Sequence, residues 1–332
     1  MKILYAAGNN KNARIVLSRF LNACRTSELN EKIHLKIAAY HQSTLSNTHV
    51  DWTLNALFDF YRPQKLSLKK NDNLQIYFDQ VKHFNPDLII SDLEYFTSNI
   101  ANILNIPLWQ CSSSFLYDSL VRKHHINLYK FHAHIACQDP TNTQGVINLI
   151  QNAEQNFVYS HFCDLINPPE LKSNYHWVRP YHQVGKISAP CRHQIVAGLS
   201  NSDKNLLYLM SQYSSDTVCF AELQEERYQN VVAKTIHNEQ EYFCNLRNSQ
   251  FFICQGQSSF LSDAFYNRQY ALIYPDYEDV DSITNAQLSH YENLGHIMLP
   301  SENLANFENN QAYIPVYHNE TKYLHEYIEE II

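Results

Sequence analysis

The sequence predicts an α/β protein of two Rossmann-like halves facing each other across a cleft. Three observations predict this. Short β-branched runs alternate with amphipathic stretches, the pattern of a parallel sheet covered by helices. The alternation lapses between 164 and 184, where Pro168, Pro169 and Pro180 stand without helical periodicity, and then resumes. The chain has 332 residues, enough for two domains that each bury a core.

The elements follow in order. KILYAA (2–7) is a continuous apolar run, as a strand buried on both faces requires. The polar loop GNNKN (8–12) follows. A helix near 12–27 carries Ile15, Val16, Leu17, Phe20 and Leu21 on its apolar side. Residues 32–40 alternate as a second strand, and 74–84 read as a helix. Pro86 introduces a strand at 87–91, before a helix at 94–104 and a strand at 106–111. The stretch 112–155 is irregular, and 157–161 is again a strand. The domain connection is expected within 164–184. In the second half, strands are expected at 193–199, 217–221, 230–236, 251–254 and 270–274. Helices are expected from Ser202 or Asp203 to Tyr213, and at 240–248, 258–267 and 281–293. The tail 319–332 reads as an amphipathic helix with Tyr323, Leu324, Tyr327, Ile328 and Ile331 on one face. The expected domains are 1–180, 181–315 and a returning helix in 316–332.

Composition limits the function. Hydrophobic residues make up 45% and charged residues 17%, which excludes wholesale disorder. The formal charge of −8 argues against a broad nucleic-acid surface. Apolar runs fall far short of the ~20 residues that span a bilayer, and no signal sequence is evident. A cytoplasmic protein is expected, with a peripheral place at a membrane surface compatible with that. The eight cysteines show no CxxC spacing and read as reduced thiols. Only six glycines are present, about 2% against a usual ~7%, so any nucleotide site must work with very few.

Residues 251–288 are the most informative. A buried strand ends at Cys254, and Gln255-Gly256-Gln257-Ser258-Ser259 leads into a helix. Backbone N–H groups at a helix start bind anions, and the serine hydroxyls add donors or cap the helix. Pro275 then opens an acidic loop from Asp276 to Asp281, with Ser282 and Asn285 on the first turn of the next helix. Carboxylates and an amide suit sugar hydroxyls, while plain helix capping is the alternative.

This order resembles the donor-binding half of GT-B nucleotide-sugar glycosyltransferases, and among them the branch of the lipid II-forming N-acetylglucosaminyltransferase. Gly256, Ser259, Ala264, Pro275, Asn285 and Ala286 carry the likeness. Asp263 stands where the family usually has Glu, and Asp281-Ser282 where it has an acidic residue followed by Gln. Gln255 and Gln257 replace the usual His and second Gly. In the first half, PDLIISDLEYFTSNIANILNIPLWQCSSS (86–114) resembles the family's strand and helix, with Asp92 and Glu94 at the strand's carboxyl end. KILYAAGNNKNAR (2–14) resembles its first loop; Gly8 and Arg14 are kept, and Asn10 and Lys11 replace Gly-His. HQVGKI (182–187) resembles the segment that opens the second domain.

The resemblance implies metal-independent transfer of a sugar from a nucleotide-diphosphate sugar, expected to be UDP-linked, to a hydroxyl acceptor. No cofactor is implied, the nucleotide-sugar being a co-substrate. The diphosphate would rest on 256–259, and Asp263, Asp281, Ser282 and Asn285 would hold sugar and ribose. Asp92 is the first choice of base and Glu94 the second, with Lys11 contacting phosphate or acceptor. The acceptor is a glycan, a lipid-linked sugar or a small molecule, with nucleic acid least favoured. The alternatives are a nucleotide-sugar hydrolase or epimerase, or a non-catalytic nucleotide-binding protein.

Two other groupings carry less. His124, His125, His132, His134 and Cys137 crowd together without metal-site spacing, and with Arg122, Lys123 and Lys130 form the most basic stretch. Ser112-Ser113-Ser114 lacks a nucleophile elbow and reads as helix capping.

Overall fold

The computed structural model describes residues 1–7, 13–39, 52–53, 72–92, 94–116, 152–171, 173–185, 195–199, 204–212, 216–221, 226–235, 239–276, 280–299, 302, 307, 316–317 and 319–332. The first sheet holds β1 (Lys2–Ala6), β2 (His34–Ala39), β3 (Trp52–Thr53), β4 (Leu88–Ser91), β5 (Leu108–Cys111), β6 (Gln155–Tyr159) and β7 (Tyr175–Val178). Its strand order is β3-β2-β1-β4-β5-β6-β7, parallel throughout. The second sheet holds β8 (Ile195–Gly198), β9 (Thr217–Ala221), β10 (Glu226–Tyr228), β11 (Val231–Thr235), β12 (Phe251–Cys254), β13 (Ala271–Ile273) and β14 (Gly295–Ile297). Its order is β10-β11-β9-β8-β12-β13-β14, with only β10 antiparallel.

Helices cover both faces of each sheet, so inner strands bury alternate residues on opposite sides. In β1, Ile3 and Tyr5 join a core with α1 (Ala13–Thr26). Leu4 and Ala6 join another with α3 (Asp72–Phe84) and α4 (Tyr95–Leu104); a short α2 (Leu29–Lys32) follows α1. In the second sheet, Ile195 and Ala197 face α5 (Lys204–Ser211). Val196 faces a core with α6 (Glu239–Asn248), α7 (Ser258–Tyr266) and α8 (Val280–Tyr291). The final helix, α9 (Leu324–Glu329), places Leu324 and Ile328 in the first domain's core, so the tail does return to it.

Several expectations need correction. The stretch 164–184 is not all linker, because it contains β7 at the sheet edge. Only Tyr175 and Val178 of that strand are buried, so it lacks an apolar signature. β10 and β14 are likewise short edge strands that the sequence reading omitted. The tail helix spans six residues rather than the whole tail, and Ile331 is exposed. Before it the chain is extended, and Arg179 N–H donates to the Lys322 carbonyl at 3.0 Å. Asn293 takes the left-handed position (φ 56°), and Gly295 opens β14, where a Cβ would meet Ala271 O at 2.7 Å.

Candidate functional site

The carboxyl ends of both parallel sheets meet at one seam, where open α/β sheets bind their ligands. From the first domain come Asp92 after β4, Ser112 and Ser113 after β5, and Tyr159 at the end of β6 with the turn to Asp164 that follows. From the second come Gln255 to Ser259 after β12, and α8 following the loop after β13. The described contacts close this seam.

The α7 start is covered. Gln255 is 2% exposed, Gln257 0%, Ser258 4% and Ser259 1%. Gln257 is the N-cap by position but makes no side-chain cap bond, and Ser258 Oγ donates to Tyr159 O at 3.1 Å, across the seam. Gly256 (φ 87°) is required by packing within its own domain, because a Cβ there would lie 2.6 Å from Ser282 O. Ser282 Oγ donates to the Gln255 carbonyl and accepts the Asp276 N–H at 2.8 Å, tying the two loops together. Its hydroxyl, expected on sugar or ribose, makes both of these bonds.

Asp263, which the resemblance sets on sugar or ribose, is held from the other domain. It is fully buried, and both its oxygens take Arg19 of α1, at 2.8 Å and 3.0 Å. Arg19 Nε reaches Glu239 at 3.0 Å, Nη1 reaches the Tyr181 carbonyl at 3.2 Å, and the guanidinium lies 5.2 Å from the Phe243 ring centroid. Burial pushes the Asp263 carboxyl up to about 6 against the pull of Arg19. A motif position locates a residue on its helix, but here the partner comes from the other domain.

More contacts run along α7. Tyr266 Oη donates to Asp164 Oδ2 at 2.7 Å, and Asp164 is also held by Arg179 at 2.9 Å. His161 Nδ1 lies 3.2 Å from Ser262 Oγ, with its ring against Phe162 and Phe265. Phe115, Leu116, Val158 and Phe162 share one apolar cluster with Phe265, Tyr266, Leu288 and Leu294, so the core continues across the seam. Burial holds His161 down at about 3, from an ordinary 6.5. The unfolded chain takes up a proton below pH 6.5 and the folded chain does not until about 3, so stability falls across that window as pH drops. The loss is about 2 kcal/mol at pH 5, from ~1.4 kcal/mol per pH unit. His161→Gln should lose correspondingly less stability between pH 7 and pH 5 in urea titrations. An equal loss in both proteins would show that His161 does not set it.

Asp281 and Asn285 do reach the seam. Asp281 is 8% exposed and Asn285 0%. Ser113 Oγ donates to Asp281 Oδ1, and Asn285 Nδ2 approaches the same hydroxyl at 3.5 Å. Ser113 is therefore a cross-domain contact rather than a helix cap. Asp92 is half-buried at the β4 end, where its N–H donates to Ala6 O at 3.0 Å. Burial first, and then the charge of Asp92, push the Tyr5 hydroxyl and Cys111 thiol up. Glu94 is 4% exposed and its carboxylate accepts the N–H groups of Phe96 at 2.8 Å and Thr97 at 2.6 Å. It is the N-cap of α4. The carboxylate offered as second choice of base is thus engaged in capping α4.

Gly8, Asn10, Lys11, Ser202, Asp203 and the 124–137 cluster lie outside the described residues, as does the side chain of Arg14. Among the described residues, no group of three or more His, Cys, Asp or Glu side chains could hold a metal ion. No described helix is long and apolar enough to cross a membrane. A surface concavity of ≈ 460 Å³, lined by Met1, Lys2, His34 and Asp87 among others, lies at the amino ends of the first sheet, away from the seam. Sequence reasoning missed Arg19, Tyr159, His161, Asp164 and Tyr266, each an ordinary core or helix residue by local pattern.

No family model and no curated protein matches the chain. Solved structures do. The spinosyn forosaminyltransferase SpnP is 16% identical with a TM-score of 0.58, over 94% of this chain and 89% of that one. A UDP-glucosyltransferase from Polygonum tinctorium is 12% identical with a TM-score of 0.56, over 87% and 82%. MurG of Acinetobacter baumannii is 12% identical with a TM-score of 0.54, over 93% and 88%. At such identities the likeness is one of fold, and it is the two-domain architecture described above.

Proposed function

We propose that this GT-B chain is a glycosyltransferase that moves a sugar from a nucleotide-diphosphate sugar to a hydroxyl acceptor without a metal ion. The observation that carries the reading is the seam itself. Both sheets direct their carboxyl ends into it, and Asp281 and Asn285 stand there as carboxylate and amide beside a hydroxyl. Three proteins of the same fold bear the names of transferases or of MurG.

In this reading the diphosphate docks at the α7 start once Ser258 leaves Tyr159, and the helix N–H groups take the leaving-group charge. Asp281 and Asn285 hold sugar hydroxyls. The acceptor oxygen bonds to the anomeric carbon as the bond from that carbon to the diphosphate oxygen breaks. The acceptor proton passes to Asp92.

The test is a thermal-shift series with UDP, dTDP and their hexose conjugates at millimolar concentration. Saturation near 100 times Kd adds about 2.7 kcal/mol, a rise of several degrees. No shift with any of them defeats the reading. The closed seam favours a second reading, a nucleotide-binding GT-B protein without turnover. Nucleotide binding with neither sugar transfer nor sugar release across the panel would decide for it.

A further inference from the structure

We propose that the Ser113 hydroxyl is a built-in stand-in for a hydroxyl of the donor sugar, occupying the hexose subsite until a ligand displaces it. The inference rests on the donor reading of Asp281 and Asn285 above.

The polarity of the contacts carries it. Ser113 belongs to the first domain, yet its Oγ donates to the Asp281 carboxylate and faces the Asn285 amide Nδ2 at 3.5 Å. Donating to a carboxylate while accepting from an amide is what a sugar hydroxyl does in a carbohydrate site. All three residues are buried, so these contacts are shielded from water. One position is left over. Asn285 Oδ1 is buried and has no hydrogen-bond partner among the described residues. A buried acceptor left without a donor is costly, and such exceptions call for a ligand or a role. A vicinal diol fits both vacancies of function: one hydroxyl replaces Ser113, and its neighbour donates to Asn285 Oδ1. A nucleoside diphosphate lacks the hexose: dTDP carries no vicinal diol, and the one diol of UDP is that of its ribose, on the nucleoside side of the diphosphate.

Displacement has a structural consequence. Ser113 opens a single 3-10 turn, Ser113–Leu116, whose Phe115 and Leu116 share an apolar cluster with Leu288 of α8. A sugar that expels the hydroxyl, by rotation of the Ser113 side chain or movement of the turn, breaks its cross-domain bond to α8. Arrival of the hexose is thereby coupled to loosening of the seam. The apparent affinity for the sugar is lowered by the fraction of molecules in which Ser113 holds the subsite.

The test compares wild type with Ser113→Ala by calorimetric titration. The probes are UDP-glucose, UDP-N-acetylglucosamine and dTDP-glucose, with UDP and dTDP as hexose-free controls, of which dTDP also lacks a vicinal diol. Removing the competitor should tighten binding of at least one nucleotide-sugar about five- to tenfold and leave UDP and dTDP within about twofold. Unchanged or weaker sugar-nucleotide binding in the variant, with wild type binding normally, overturns the stand-in and leaves the donor reading intact. Equal tightening for conjugates and bare diphosphates also overturns it, because the seam has then merely loosened. No binding of any probe by either protein overturns the donor reading and the stand-in together. If Ser113→Ala does not fold, Ser113→Cys keeps the side-chain volume with a weaker donor. It should tighten the same conjugates by a smaller factor, and failure to do so counts against the proposal.

Discussion

Arg19→Ala should lower the stability of the folded chain by about 3–5 kcal/mol at pH 8, the usual cost of removing one partner of a buried ion pair. The reason is what remains. Asp263 is fully buried and would lose both of its Arg19 bonds at once, and Glu239 and the Tyr181 carbonyl would each lose a donor. The signature lies in the pH dependence. In the wild type Asp263 already sits near 6, above its ordinary 3.8, because burial outweighs the pull of Arg19. A carboxyl with a raised folded pKa favours the folded state more as pH falls through that value. Without Arg19 the folded pKa climbs further, so the carboxyl takes up a proton and the cost shrinks as pH falls from 8 to 5.

Thermal midpoints of wild type and Arg19→Ala at pH 8 and pH 5 check this. An equal difference at both values, or none, would mean the bonds contribute nothing beyond packing. A double replacement, Arg19→Met with Asp263→Leu, should recover most of the loss, since apolar residues of similar volume often match a buried pair. The pair spans the domains beside the linker: Asn267, four residues after Asp263, accepts the Gly185 N–H at 2.8 Å and donates to the Gln183 carbonyl at 3.0 Å. The lesion is therefore expected at the joint between the domains rather than within either core.

The same pair marks where the sequence stops being legible. Inner strands such as KILYA and FFIC are readable because burial on both faces demands unbroken apolar runs. Edge strands are not. β7 buries only Tyr175 and Val178, with Trp177 half-buried against the Tyr175 cluster and His176 exposed, a pattern shared by many loops. The order of elements around residues 251–288 located the seam loop, because strand, Gly, Ser and helix follow one another in a local rule. What that rule does not contain is the partner of each side chain. Asp263 is 244 positions from Arg19, and Asp281 is 168 from Ser113. Helix periodicity gives each residue a face, and the fold decides which distant residue meets it. Gly256 illustrates the same limit. The resemblance puts it beneath the diphosphate, and the close approach present in the structure is to Ser282 of its own domain.

Asp92→Asn should lower turnover about 10²–10⁴-fold, the range of general base catalysis, and leave donor affinity unchanged. Asp92 follows the β4 strand on the first-domain side of the seam, half-buried, and Asn retains its shape while losing basicity. Glu94 supplies the control two residues on. Its carboxylate caps α4 through Phe96 and Thr97, so Glu94→Gln should cost about 1 kcal/mol of stability with turnover kept. The two variants thus separate a chemical role from a structural one at neighbouring carboxylates. A fall in kcat at constant KM for Asp92→Asn assigns it the proton. A parallel change in KM makes it a residue that orients the acceptor instead. Unchanged turnover removes Asp92 from the mechanism and moves the search for the base to the loop carrying Lys11.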